Sequence, residues 1–296
     1  MGSETYSQYQ QILRNDLYSF TQRCFHELNP RAPFLMNWHI MRIVEKLEAC
    51  RRGKIKRLII NIPPRNLKSL CASVAFPAYL LGHNPAAQVL CVSYGQDLSD
   101  KFARDCRNIM SSSFYQDLFN TRLSDDKRSI EEFVTNGGGY RLSTSVGGVV
   151  TGRGADFIVI DDPLKPESAL SEALRKQLND WYDNTLYSRL NNKNTGCIII
   201  IMQRLHEDDL VGHVLGQEKW EVVSFPAIAE EDEACTINTV LGDLKILRKA
   251  GEALHPEREN IERLKHMRAT MGNITSRASI SNRQSRLAAP WLRRSG

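Results

Sequence analysis

Arg57-Leu58-Ile59-Ile60-Asn61-Ile62-Pro63-Pro64-Arg65-Asn66-Leu67-Lys68-Ser69 decides how this chain is read. Residues 57–62 form a nearly continuous apolar run, as a strand buried on both faces of a sheet should. Two prolines stop it, and a helix-like stretch resumes after Lys68-Ser69 and continues through Leu81. Strand, loop, Lys-Ser and helix is the order of a phosphate-binding loop. In such a loop, backbone N–H groups and the helix N-terminus hold phosphates, the lysine neutralises them and the hydroxyl binds Mg²⁺. Both glycines of the usual Gly-x-x-x-x-Gly-Lys-Ser/Thr pattern are missing, since Ile62 and Leu67 occupy their places. A Pro-rich turn that only caps a helix is therefore the competing reading. The complementary piece is Asp156-Phe157-Ile158-Val159-Ile160-Asp161-Asp162-Pro163, an apolar strand that brings two carboxylates to its C-terminal end. One can hold Mg²⁺ while the other positions or polarises the attacking water. Alone, that strand end also reads as a loop start with an N-capping Asp. Together, in this order, the two pieces favour nucleoside-triphosphate chemistry.

Strands and helices alternate between and beyond these two pieces. Residues 6–52 show helical apolar spacing, interrupted at Asn29-Pro30-Arg31-Ala32-Pro33. Gln88–Tyr94 is a second buried strand, followed by a helix from about Asp97 to Met110. Phe133-Val134-Thr135, a triple-glycine turn at 137–139 and Tyr140–Thr144 predict a hairpin. The glycine-rich loop Val146–Gly154 then leads into the Asp-Asp strand. A helix over Ser171–Leu186, the apolar strand Gly196–Met202, a helix from about Glu207 and a last strand Trp220–Phe225 complete the pattern. The expected fold is α/β: a P-loop NTPase three-layer architecture, with a mostly parallel central sheet and helices on both faces. The domain reading is a helical region 1–52, an ATPase core 53–230, a linker 231–274 and a tail 275–296.

Composition bounds the alternatives. No stretch approaches the roughly 18 apolar residues of a membrane span, and no secretory signal opens the chain, so a cytoplasmic protein without membrane contact is expected. Seven cysteines lie scattered without a C-x-x-C pair, which favours buried reduced thiols over disulfides or zinc. The net charge of +5 is local: Arg277, Arg283, Arg286, Arg293 and Arg294 account for the whole excess of 39 basic over 34 acidic residues. Overall charge thus says nothing about DNA binding.

These residues resemble the ATPase half of a tailed-phage terminase large subunit, the motor that packages DNA into procapsids. The resemblance runs from about Trp38 to Asn273. It is carried by the Pro-Pro-Arg-x-x-Lys-Ser turn, by Thr151-Gly152-Arg153-Gly154-Ala155-Asp156 running into Ile160-Asp161-Asp162-Pro163, by Gln203-Arg204-Leu205-His206-Glu207-Asp208-Asp209-Leu210, and by Gly251–Arg258. The resemblance implies ATP and Mg²⁺ as ligands. Pro64, Arg65, Asn66, Leu67, Lys68 and Ser69 would cradle the phosphates, with Arg65 near the γ-phosphate and Ser69 on the metal. Asp161 would hold Mg²⁺ through water, and Asp162 would stand where the catalytic Glu usually is. Gln203 would sense the γ-phosphate, and Trp38-His39 would lie near the adenine. Each role has a plainer counterpart: Trp38 as a packing residue, Gln203 as a helix cap. Arg153 is either a finger inserted into a neighbour's site or a structural loop arginine. His206, Glu207, Asp208 and Asp209 could suggest a metal cluster, but at a helix start acids serve as caps and favour the dipole. Implied partners are double-stranded DNA, a terminase small subunit, a portal protein and further copies in a ring, in the cytoplasm of a bacterial host. A catalytically inert prophage remnant, or another P-loop DNA motor such as a helicase, are the competing readings.

After Thr275 the family pattern stops. Back-translating Ala278–Arg294 with suitable synonymous codons and reading two bases later yields Gln-Tyr-Gln-Gln-Pro-Pro-Val-Ala, which resembles the segment that opens the family's nuclease domain. The expectation is a frame shift near codon 275, a disordered tail in place of the nuclease domain, and no nuclease activity. A genuine arginine-rich arm for DNA is the other reading.

Overall fold

A computed structural model describes residues 3–150, 152–240 and 242–270. The expectations for the tail after Thr275 lie outside the described residues. The chain opens with three helices, α1 (Ser3–Asn15), α2 (Leu17–Leu28) and α3 (Trp38–Arg51). Asp16 caps α2 by accepting from the Ser19 amide at 2.9 Å, and Asn37 caps α3 by accepting from the His39 amide at 3.2 Å. Next come β1 (Arg57–Asn61), a π-helical turn Leu70–Ala75 that runs into α4 (Phe76–His83), β2 (Gln88–Ser93), α5 (Gln96–Ser111) and α6 (Ser113–Leu118). They are followed by β3 (Leu123–Arg128), β4 (Glu132–Thr135), β5 (Tyr140–Ser145), β6 (Phe157–Asp161) and α7 (Glu172–Trp181). The second half ends with β7 (Cys197–Met202), α8 (Leu210–Leu215), β8 (Glu221–Ser224), β9 (Glu233–Thr239), β10 (Gly242–Arg248) and α9 (Ile261–Thr270).

One sheet of order β3-β4-β5-β2-β6-β7-β1-β8 organises the molecule. From β5 to β8 every pairing is parallel, and the β3-β4-β5 end is antiparallel. The apolar runs alternate between two cores, as the period of two along a strand requires. Leu58 and Ile60 of β1 and Ile199 and Ile201 of β7 face the core under α1 to α6. Ile59, Ile198 and Ile200 face the core under α7 and α8. Phe20 is fully buried in the first core, within 5.2–6.3 Å (centroid to centroid) of the rings of Tyr79, Phe114, Tyr115 and Phe119.

The layered, mostly parallel architecture is the expected one. Four details differ. β3 and the β9–β10 hairpin were not anticipated, because their apolar residues are few and partly exposed. The helix placed from Glu207 begins at Leu210. Within the stretch read as a linker, the described residues carry the β9–β10 hairpin and α9. Arg248 is buried and donates to the carbonyls of Pro226, Ala227 and Glu252, and Leu264 of α9 packs with Ala227 and Ala253. Among the described residues no helix is long and apolar enough to cross a membrane. Six of the seven cysteines are buried and none is in a disulfide.

Removing the Phe20 ring leaves a cavity among four aromatic neighbours. Phe20→Ala should lower unfolding free energy by about 3–5 kcal/mol, which a urea titration of the purified chain would measure.

Candidate functional site

Three neighbouring parallel strands end together. Ile60 of β1 is level with Ile201 of β7, and Ile201 with Asp161 of β6. Beyond their C-terminal ends lie the loop 62–67, Gln203 and Asp162. Parallel strands present their loops at one edge, which is where open α/β sheets bind ligands.

The loop after β1 is held in an unusual backbone shape. Arg65 and Leu67 have φ of 60° and 58°, and Asp162 at the end of β6 has 44°. Among the described residues these are the non-glycine residues with positive φ, and all three sit at this one edge. Leu67 occupies the position of the pattern's second glycine and takes the left-handed conformation that glycine would supply freely. For an L-residue that costs on the order of 1–2 kcal/mol. Such strain persists only where surrounding structure dictates it, and it clusters at functional sites. Here Asn66 is buried and its amide donates to the carbonyls of Pro63 and Pro64, both at 3.2 Å, drawing the loop into a tight turn. A helical turn begins at Lys68, and the Cys71 amide donates to the Leu67 carbonyl at 3.0 Å. Arg65 is exposed at the crest of the loop.

Lys68 is buried, with its Nζ 2.6 Å from Asp162 Oδ1. The same carboxylate oxygen accepts from the Gln203 backbone amide at 3.2 Å. Three residues singled out in the sequence, Lys68, Asp162 and Gln203, thus meet at one oxygen. Asp161 is 1% exposed and accepts from the Ser73 hydroxyl at 2.7 Å through Oδ2. Burial, and then repulsion from Asp162, push its carboxyl up to about 6, against opposing contributions from Lys68 and the Ser73 and Ser69 hydroxyls. Asp161 Oδ1 is buried with no hydrogen-bond partner. An orphaned carboxylate oxygen beside a serine hydroxyl fits a hydrated divalent cation, whose water or positive charge would satisfy it. Among the described residues no group of three or more His, Cys, Asp or Glu is arranged to hold a metal by itself. Such a cation would therefore take its remaining ligands from phosphate and water.

The segment after β7 is built on a buried ion pair. Arg204 Nε donates to Asp209 Oδ2 at 2.8 Å, and both side chains are almost fully buried. Asp209 also caps α8 by accepting from the Gly212 amide at 3.1 Å. The acidic run 206–209 thus contributes a cap, as the helix-start reading expected. The Arg204 partnership was not foreseen, although the five-residue spacing of Arg204 and Asp209 across one turn could have suggested it.

Two candidates lie away from Lys68. Trp38, at the start of α3, packs against Phe225 with ring centroids 5.5 Å apart and planes inclined at 57°, as a packing residue would. It also lines a cleft of about 290 Å³ between β8 and the β9–β10 hairpin. Its neighbour His39 is fully buried; burial, then His255, lower its pKa to about 3, and the Asn66 backbone partly offsets this. The start of α3 therefore lies close to the loop after β1 at Asn66. Arg153 precedes β6, at the opposite edge of the sheet. It is paired with Glu132 at 2.7 Å and lies 5.7 Å from the centroid of the Tyr140 ring. It does not reach Lys68 within its own chain.

The chain matches the family model described as "Terminase large subunit, T4likevirus-type, N-terminal" over residues 59–288, past the Asn273 at which the sequence reading ended. No curated protein matches it. Among solved structures, the large terminase of bacteriophage HK97 is similar with a TM-score of 0.52 at 11% identity, over 86% of this chain and 51% of that one. This chain thus spans about half the length of that relative, and at such identity the likeness concerns the fold. The ATPase domain of the Thermus phage P74-26 large terminase, in a mutant form, gives 0.48 at 15% identity, over 86% of this chain and 95% of that one. A large terminase from a thermophilic bacteriophage, in complex with ADP, gives 0.45 at 9% identity, over 79% and 52%.

The strained loop and the buried carboxylate each generate an expectation. Leu67→Gly should bind nucleotide as the parent does and shift stability by less than about 1 kcal/mol, since relief of strain offsets the entropy glycine adds to the unfolded chain. Leu67→Val, β-branched and unsuited to positive φ, should lose nucleotide binding. Asp161 keeps its proton in the fold until about pH 6 but sheds it near 3.8 when unfolded, so its ionisation lowers stability as pH rises across that window. Asp161→Asn should therefore melt higher than the parent at pH 8, with the gain fading at pH 5; a thermal melt at the two pH values measures it.

Proposed function

This chain belongs to the terminase large-subunit family, matched over its N-terminal module, and on that premise we propose that it is the ATP-hydrolysing motor module of a phage DNA-packaging machine. The observation that carries the reading is the convergence of Lys68, Asp162 and Gln203 on one carboxylate oxygen, beside a buried Asp161 with an oxygen to spare. Pro64, Arg65, Asn66, Leu67, Lys68 and Ser69 form the phosphate cradle, closed by Asn66 and by the left-handed turns at Arg65 and Leu67.

Chemistry follows from the Lys68–Asp162 pair. Lys68 is held by the Asp162 carboxylate. On ATP binding Lys68 exchanges that partner for a phosphate oxygen, which frees Asp162 to accept a hydrogen bond from the attacking water. Asp162 orients that water in line with the γ-phosphoryl group, and in a largely dissociative transition state such positioning supplies most of the catalysis. Ser69 and Asp161 would hold Mg²⁺, which when bound neutralises charge developing on the phosphate oxygens. Gln203, just past the end of β7 and between the two halves of the site, relates the state of Asp162 to the segment braced by Arg204 and Asp209. Exposed Arg65 is available to the γ-phosphate. Arg153 acts in trans, on a neighbouring copy's site, after leaving Glu132.

In this reading the substrate moved is double-stranded DNA, and the partners are a small subunit, a portal and further copies of the chain, in the host cytoplasm. Strand cutting would belong to a nuclease domain and is not an activity of the described residues.

The test is ATP hydrolysis by the purified chain with Mg²⁺, with and without duplex DNA, beside Lys68→Ala. Turnover that DNA stimulates and that falls at least about 10²-fold in the variant is expected. Turnover in the folded parent no higher than in Lys68→Ala would overturn the reading in favour of an inert fold.

A further inference from the structure

Arg141, on β5, is fully buried, and among the described residues no carboxylate pairs with it. A guanidinium in that position is costly unless something nearby needs its charge. Its Nη2 donates to the backbone carbonyl of Ser73 at 3.0 Å and its Nη1 to the Ser143 hydroxyl, while Nε has no partner.

The Ser73 carbonyl needs such a donor for a reason written in the sequence. In α-helical register it would accept from the amide of residue 77, and residue 77 is proline, which has none and whose ring crowds that carbonyl. The helix answers with the π-helical turn Leu70–Ala75, in which the Phe76 amide donates to the Cys71 carbonyl. Ser73 sits in the middle of that turn. With its carbonyl taken by Arg141, its hydroxyl donates to Asp161 Oδ2 at 2.7 Å.

We propose that Pro77, Arg141 and Ser73 form a relay that positions Asp161 for its metal. Pro77 frees a carbonyl, Arg141 anchors it, and the Ser73 hydroxyl is thereby held on Oδ2, so that Oδ1 is the oxygen left for the cation. Arg141 is thus a positioning residue that ties β5, three strands from β7 in the sheet, to the nucleotide-binding edge. Outer partners of this kind are worth about 10–100-fold in metal affinity.

This inference rests on the nucleotide reading above, and the test separates the two. Mn²⁺ uptake by the ADP-loaded full chain is read from the loss of the free-Mn²⁺ paramagnetic resonance signal, and ADP affinity is measured separately in EDTA. Ser73→Ala and Arg141→Met should weaken Mn²⁺ uptake by about 10–100-fold with ADP affinity in EDTA unchanged. Arg141→Lys, which keeps a cation and a donor for the Ser73 carbonyl, should recover most of the loss. Should Arg141→Met fail to fold, Ser73→Ala, which removes one oxygen, decides. Parental Mn²⁺ uptake in Ser73→Ala, or an equal loss of ADP affinity in EDTA, overturns the relay alone. A parent chain that takes up neither ADP nor Mn²⁺ overturns the nucleotide reading and the relay with it.

Discussion

Register between β1, β7 and β6 is the constraint on which the site depends. Side chains alternate across a strand, so slipping β6 by one residue against β7 would turn Asp161 from one core to the other and carry Asp162 out of reach of Lys68. All three strands are apolar on both faces, so a slip would bring no polar face to water, and the register rests on how their isoleucine side chains interdigitate with the two cores. A slip would misplace the three residues that meet at the strand ends. Ile60, Ile201 and Asp161 lie in one row across the sheet. The isoleucines that read as mere filling in the sequence are therefore what set the distance between a lysine and a carboxylate.

Two opposed electrostatic demands meet at that edge. Asp161 and Asp162 are adjacent, one buried and one partly exposed, and their carboxylates repel one another. The fold resolves the conflict by turning their side chains apart. The left-handed φ of Asp162 swings its carboxylate to Lys68 and the Gln203 amide, while Asp161 points into the protein towards Ser73. Strain at Asp162 and Leu67 is thus the local cost of a geometry that a regular strand end and a regular turn would not produce. Binding energy from a polyphosphate is well suited to offset it.

The sequence made the layers, the central strands and the polar strand ends legible, because buried parallel strands leave uninterrupted apolar runs and the loops after them are polar and short. Lys68 and Asp162 could be named from those ends, and Gln203 from the family resemblance. What could not be read were contacts made across the fold. Ser73 lies in a helix with an ordinary hydroxyl, and Arg141 is a charged residue in a short strand; only their approach through Pro77 gives either a role. The β9–β10 hairpin escaped for a different reason. Its strands alternate weakly, and much of the apolar surface of β10, such as Leu247, faces outward. Trp38 was read as either a packing residue or a base neighbour. Its packing against Phe225 and its place in the cleft beside β8 support the first and leave room for the second.

The strand that bears the phosphate loop has both of its sheet neighbours late in the chain: β1 pairs with β7 and β8, and Arg57 is level with Ile198. Contacts of such long separation are slow to form and are met only after most of the polypeptide has been synthesised. During translation β1 must wait, apolar on both faces, until residues beyond 220 leave the ribosome. Until then its apolar faces and unpaired edges are open to aggregation. It also follows that the meeting of Lys68, Asp162 and the Gln203 amide at the strand ends is one of the last contacts to form, after β1 has found its late partners.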